Sequence, residues 1–188
     1  MTATLSARAP AARPRSRTAV GAFHCTHRLD DGRRVVVREL NSDDADALAE
    51  AFRRADPADL HRRFLGWPPP LGVILRHLHH TDGTHHVALG AFDDDGSLVG
   101  VAQFDRSNDE PEAEFAIEVD RGWKSHRLGS LLLTDLLADA RQCGIRHLTA
   151  TYFLDNVPIV RLLRDVGTVM HVSTSYDAGI GSADIDLG

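Results

Sequence analysis

The sequence predicts an α+β domain, with a mixed central sheet of six to seven strands and helices on both faces. Three observations carry this expectation. Apolar residues follow helical spacing from 41 to 80, alternate or run as short β-branched segments from 85 to 120, and then switch period again toward the C-terminus. No internal repeat or linker divides the region after residue 22. A chain of 188 residues holds one core comfortably and two poorly.

The elements follow in order. Residues 1–22, rich in Ala, Pro, Arg and Ser and without periodicity, are expected to form a disordered basic tail. Residues 23–188 form the domain. "RRVVVREL" reads as a strand, and "NSDDADALAEAFRRAD" as a helix capped by Asn41 or Ser42, with acids in its first turn and Arg53 and Arg54 in its last. "PADLHRRFLGW" restarts a helix with Pro57 at its first position, Pro68 to Pro70 end it, and "LGVILRHLHH" adds a short third. "HHVALGAFD" and "SLVGVAQFDR" flank Asp93-Asp94-Asp95-Gly96, a hairpin signal. "EAEFAIEVD" alternates, so Phe115, Ile117 and Val119 face one way and Glu114, Ala116 and Glu118 the other. A helix over 127–143 closes at Gly144; a strand, "IRHLTATYFL", a helix, "NVPIVRLLRDVG", and two strands, "TVMHVSTSY" and "ADIDL", complete the chain.

Composition narrows the function. The tail holds four Arg and no acid, so a net charge of −6 divides into about +4 there and −10 beyond. An acidic body disfavours nucleic acid and favours a cationic partner, such as an amine or a basic protein segment. No apolar run approaches the ~20 residues that span a membrane. The tail's arginines are not followed by the apolar core of an export signal, and Cys25 and Cys143 lack metal or disulfide spacing, so a cytoplasmic protein with reduced thiols is expected. His77, His79, His80, His85 and His86 cluster without a cysteine, and no metal is assigned to them.

The chemistry concentrates in "WKSHRLGSLL". The first N–H groups of a helix lack internal partners and, with the dipole, form an anion site. The amides of His126, Arg127, Leu128, Gly129 and Ser130 are placed to surround a pyrophosphate, Gly129 permits close approach, and Lys124, His126 and Arg127 add positive charge.

An alternating acidic strand, a Trp-bearing loop, this helix, a strand and an Asn-led helix together resemble the GNAT N-acetyltransferase superfamily. Lys124-Ser-His-Arg127-Leu-Gly129 lies in register with that family's Gln/Arg-x-x-Gly-x-Gly/Ala loop, with Arg127 where the family has Gly. Two readings of Arg127 follow: a helical backbone lets its guanidinium meet a phosphate, whereas a positive φ strains the loop and weakens binding. "DNVPIVRLLRDVG" is similar to the family's Asn-led segment through Asn156 and Gly167, with Thr168 in place of the family's Phe and Leu163 where a Tyr often serves as acid; Tyr152 and Tyr176 are poor substitutes. The stretch from Arg34 to Gly66, including Arg62, Arg63 and Phe64, resembles the opening of bacterial Pat-like protein-lysine acetyltransferase domains.

The resemblance implies acetyl-CoA as cofactor, with its pantetheine arm paired to the strand Phe115, Ile117, Val119 and its thioester oxygen held near the Val119 amide. Asn156 would cap its helix and touch the CoA arm. Glu114 aligns with the family's general base. Such a base is required because a lysine of pKa about 10.4 is unprotonated in roughly one molecule in a thousand near neutral pH. Glu118 reads instead as part of a solvated strand face. The acceptor implied is a protein lysine, with a small amine as alternative; a further alternative is a catalytically inactive CoA-binding sensor or interaction module. Oligomeric state, monomer or dimer, is left open.

Overall fold

The structure, a computed structural model, describes residues 24–188 apart from 79, 108–109, 167–168 and 176–178. The expected tail, His79, Gly167, Thr168 and Tyr176 therefore lie outside the described residues. One sheet organises the rest, in the order β1-β2-β3-β4-β5-β6-β8-β7. Its strands are β1 (His24–Arg28), β2 (Arg34–Glu39), β3 (His86–Phe92), β4 (Leu98–Asp105), β5 (Glu112–Val119), β6 (His147–Phe153), β7 (Val169–Ser175) and β8 (Ile180–Asp186). All neighbours run antiparallel except β5 and β6.

The helices are α1 (Ala45–Arg54), α2 (Pro57–Arg63), α3 (Leu71–Leu78), α4 (Leu128–Gln142) and α5 (Val157–Val166). The α+β expectation with a mixed sheet is met. The sheet has eight strands among the described residues, one more than expected, because β1 adds an edge. "HCTHR" lacks a β-branched run, and its five-residue pairing with β2 makes it a strand. Composition is a poor guide to such edges, where pairing and context outweigh propensity.

Two apolar layers hold the helices. On one face α4 buries Leu128, Leu132, Leu133 and Leu136 against Phe104, Phe115 and Leu148. Each fully buried leucine contributes roughly 1.5–3 kcal/mol, so the start of α4 is firmly placed. Gly100 on β4 makes this approach possible: a Cβ there would lie 2.8 Å from Leu132 Cδ1. On the opposite face Leu40, Leu78, Ala88, Phe92 and Leu98 form a smaller layer with Leu48, Ala51 and Leu75 of α1 and α3. Helix α2 ends at Arg63, before the three prolines, where Leu65 turns left-handed at φ 50°. No described helix is long and apolar enough to cross a membrane.

Candidate active site

Strands β5 and β6 pair only at Glu112, Ala113 and Glu114, opposite His147, Leu148 and Thr149. Beyond Glu114 they part. Antiparallel pairing to β4 continues along β5 as far as Val119, so the residues from Phe115 onward keep a fixed conformation while their other backbone edge faces a cleft. This cleft, of about 460 Å³, is lined by Phe115–Val119 on one side, Ala150, Thr151 and Tyr152 on the other, and the starts of α4 and α5 at one end.

The α4 end presents uncapped amides. Its first internal bond runs from the Leu131 N–H to the Arg127 carbonyl at 3.0 Å, so the amides of Leu128, Gly129 and Ser130 precede the helical ladder. No side chain caps them. A Cβ added at Gly129 would lie 3.7 Å from Leu162 and 3.8 Å from Val119, occupying space that glycine leaves to a ligand. A diphosphate-bearing thioester fits: amides and cations meet one end of the cleft, and an unpaired strand edge runs along it.

Arg127 occupies the N-cap position at φ 67°, and Ser125 lies at φ 66°. The left-handed branch of the sequence reading is therefore the one realised, at a cost of order 1–2 kcal/mol for a residue with a Cβ. Arg127 lines the cleft, with its guanidinium largely in solvent, 4.0 Å from Asp30 in the turn between β1 and β2. Lys124 lines the cleft but reaches across it to Asp59 of α2, Nζ to Oδ2 2.6 Å.

The side-chain contribution expected of His126 needs correction. Its ring faces Asp31 at 3.4 Å, outside the cleft lining, because the left-handed residues on either side turn it toward the β1–β2 turn. Leu128 is a core residue with 1% exposure, so only its amide is available. Gly129 and Ser130 line the cleft. So do Phe115, Ile117, Val119 and Asn156. Asn156 also caps α5, its Oδ1 accepting the Ile159 N–H at 3.4 Å.

On the other side of β5 lies a chamber of about 320 Å³ under α1, α2 and α3. Its walls are largely apolar, from Leu48, Phe52, Leu60, Phe64, Ile74 and Val101. Into it face Glu114, Glu118, Asp105, Gln103 and His86, with Arg63 between them. The chamber and cleft share Asp59, Arg63, Phe115, Ala116 and Glu118.

Glu114 is exposed and Glu118 half-buried. Burial pushes the Glu118 carboxyl up to about 7, with Asp59 adding to the rise; Lys124, Arg63 and the Val119 amide pull against it. Arg63 is half-exposed as a residue, but its guanidinium is buried among Glu118, Asp105 and Glu114, and burial lowers its pKa. It still remains a cation, as guanidinium always does in proteins.

Several of these residues escaped the sequence reading. Arg62 and Arg63 were noted as a family element without a role. Asp59, Thr151 and Arg161 had no signal at all. They reach the site from α2, β6 and α5, and their spacing in sequence carries no trace of that convergence. The histidines do not converge: His85 pairs with Asp82 at 3.0 Å and His86 with Asp105 at 2.9 Å, and no described group of three metal-ligating residues forms.

Comparisons with known proteins place this geometry in a family. Residues 34–169 match the family model described as an acetyltransferase (GNAT) domain. The chain is 29% identical over 160 residues to the Pseudomonas aeruginosa protein named acetyltransferase PA5475, a match spanning 83% of this chain and 84% of that one. The solved GNAT domain of S. lividans PAT superposes with a TM-score of 0.79 at 24% identity, over 87% of this chain and 96% of its own. A putative acetyltransferase from Salmonella typhimurium, solved with its cofactor acetyl-CoA, superposes with a TM-score of 0.66 at 21% identity, over 82% and 94%.

Proposed function

The chain belongs to the GNAT acetyltransferase family, and on that premise we propose that it is an N-acetyltransferase moving an acetyl group from acetyl-CoA to a primary amine, with a protein lysine as the leading acceptor. One observation carries this reading: a cleft with an anion-binding end and an acid-lined chamber meet across a single strand, β5.

Acetyl-CoA supplies an activated acetyl thioester. The protein supplies the rest. The amides of Leu128, Gly129 and Ser130 hold phosphate oxygens through the unpartnered positive end of α4. The open edge of Phe115–Val119 takes an extended arm as an added strand. The family resemblance gives the Val119 amide the thioester oxygen to hold, and this amide also donates to the Glu118 carboxyl beside it. An amine entering the chamber arrives as a cation, and Glu114, Glu118 and Asp105 attract it, Glu118 being the half-buried member of the three. A β5 carboxylate then receives its proton, a role the family resemblance gives to Glu114.

Leu163, where the family often places an acidic Tyr, is 3% exposed and packed in the core. Tyr152 is the phenol that lines the cleft, and burial raises its pKa, so it holds a proton at neutral pH. The strained Arg127 and the apolar Leu163 favour a second reading, a CoA-binding module without turnover.

Thiol release from acetyl-CoA in the presence of lysine-containing proteins, free lysine and a panel of small amines tests both, alongside calorimetric titration with CoA. Amine-dependent release supports the transferase, and the best acceptor fixes its class. CoA binding without release supports the second reading. Absence of both overturns the two together.

A further inference from the structure

On the reading that this protein is an acetyltransferase, we infer that Glu118, and not Glu114, is the catalytic residue that receives the proton of the attacking ammonium, while Glu114 draws the cation into the chamber. Position along β5 carries the argument. Glu114 stands opposite Thr149, at the last residue where β6 still closes the strand edge, so no cofactor arm can lie beside it there. Glu118 stands four residues further, roughly 13 Å along the strand, where the edge is open. A single acetyl carbon cannot be adjacent to both.

The cavities draw the same distinction. Glu114 lines the chamber and is not part of the cleft lining, whereas Glu118 lines both. Since the amine comes through the chamber and the thioester through the cleft, Glu118 is the carboxylate positioned at their meeting point.

Its surroundings suit the role. Asp59 and Arg63 face it from α2, Lys124 from the loop before α4, and Glu114 from its own strand through Arg63. Asp120 and Arg121 follow on the turn, Thr151 and Tyr152 lie across the cleft, and its partner on β4 is the apolar Val101. Burial in this setting brings Glu118 to about 7, near the pH at which a base both ionises and accepts a proton well. In the balanced step the ammonium gives one proton to a Glu118 carboxylate oxygen. The neutral nitrogen bonds to the acetyl carbon, the carbon–sulfur bond breaks, and the second nitrogen proton goes to the departing sulfur. The products are the N-acetyl amine and the free thiol of CoA.

The test measures thiol release by the full chain from pH 5.5 to 9, using the best amine acceptor of wild type, with Glu118→Gln, Glu118→Asp and Glu114→Gln alongside. Amine ionisation near pH 10.4 lies above this range for a lysine acceptor. Wild-type kcat/KM is expected to rise through a limb centred near pH 7. Glu118→Gln should lose that limb and about 100-fold or more in kcat, while CoA affinity from calorimetry stays within a few-fold. Glu118→Asp should restore part of the rate together with the limb. Glu114→Gln should keep the limb and raise KM for the amine. A Glu118→Gln protein that keeps the limb, or a Glu114→Gln protein that loses it, overturns the inference and returns the role to Glu114. Wild type that binds CoA yet acetylates no amine overturns the transferase reading itself, a result distinct from any of these.

Discussion

The 3-10 turn Ser42–Asp44 that leads into α1 is closed by its own chain, whereas the loop that leads into α4 is left open. Before α1, Asn41 Oδ1 accepts the Asp43 N–H at 2.8 Å, and Asp44 returns the contact by accepting the Asn41 N–H at 3.0 Å. Asp44 is also gripped by Arg38 through two bonds of 2.8 and 2.5 Å. Acids sit where the helix dipole wants them. At α4 the cap position holds a left-handed arginine without a capping side chain, and bases gather at the positive end of the dipole. Those bases are restrained by acids from elsewhere: Lys124 by Asp59, His126 by Asp31 and Arg127 by Asp30. The approach to α1 is held by hydrogen bonds within its own segment; the approach to α4 holds a left-handed non-glycine cap and gathered bases.

The sharpest way to break this contrast is to close the open end. Gly129→Asp places a carboxylate in the first turn of α4, where the Cβ has space. CoA affinity should fall about 100-fold or more by charge repulsion at short range, measured by calorimetry, while thermal stability holds or rises slightly. Unchanged affinity would show that the phosphates bind elsewhere.

Glu118→Gln gives the next effect, read as stability against pH. Its folded value near 7 lies above the ordinary 4.5, so the native state holds an extra proton between those limits and the wild type loses stability as pH rises through them. The variant should be more stable than wild type at pH 8 by up to about 3 kcal/mol, with the advantage vanishing below pH 4.5, in urea melts. A constant difference across pH would remove the buried carboxyl as its source.

At the closed end, Asp44→Ala should cost about 2 kcal/mol through loss of the cap and of the Arg38 pair, again by urea melts, with CoA affinity unchanged. The Arg38 hydrogen bond chiefly holds Asp44 below its ordinary 3.8. Its stabilisation is therefore full above that value and is lost as pH falls through the depressed one, and the variant should flatten this acid limb.

Arg127→Gly should have the smallest effect. Release of the left-handed strain, offset by glycine's greater freedom in the unfolded chain, leaves a net gain under about 1 kcal/mol. A few-fold loss of CoA affinity would mean that the guanidinium assists phosphate binding; a large gain would mean that it obstructs.

Much of the fold was legible in the sequence, and the site was legible in part. Leu128, Leu132 and Leu136 announced the buried face of α4, and the Asp93–Gly96 turn announced the β3–β4 hairpin, because period and turn chemistry are local properties. β1 was missed because an edge strand of His, Thr and Arg is held by its neighbour rather than by its own propensity. In the site, Gly129, Ser130 and Asn156 could be placed from their positions at helix starts. The His126 side chain turns away because two left-handed residues flank it; the family's Gly in register with Arg127 pointed to one of them, and nothing in the sequence pointed to Ser125.

The sequence by itself determined the elements other than β1, the helix start at Leu128 and the acidic face of β5, since spacing along one strand or helix fixes which residues share a side. Only the tertiary structure decided what those residues face. The parting of β5 from β6 after Glu114, the arrival of Asp59 and Arg63 from α2 and the burial that sets Glu118 apart from Glu114 all depend on packing between segments distant in the chain. The two glutamates are chemically identical and alternate on the same face. Their difference comes from the solvent and charge around each, which are properties of the assembled fold.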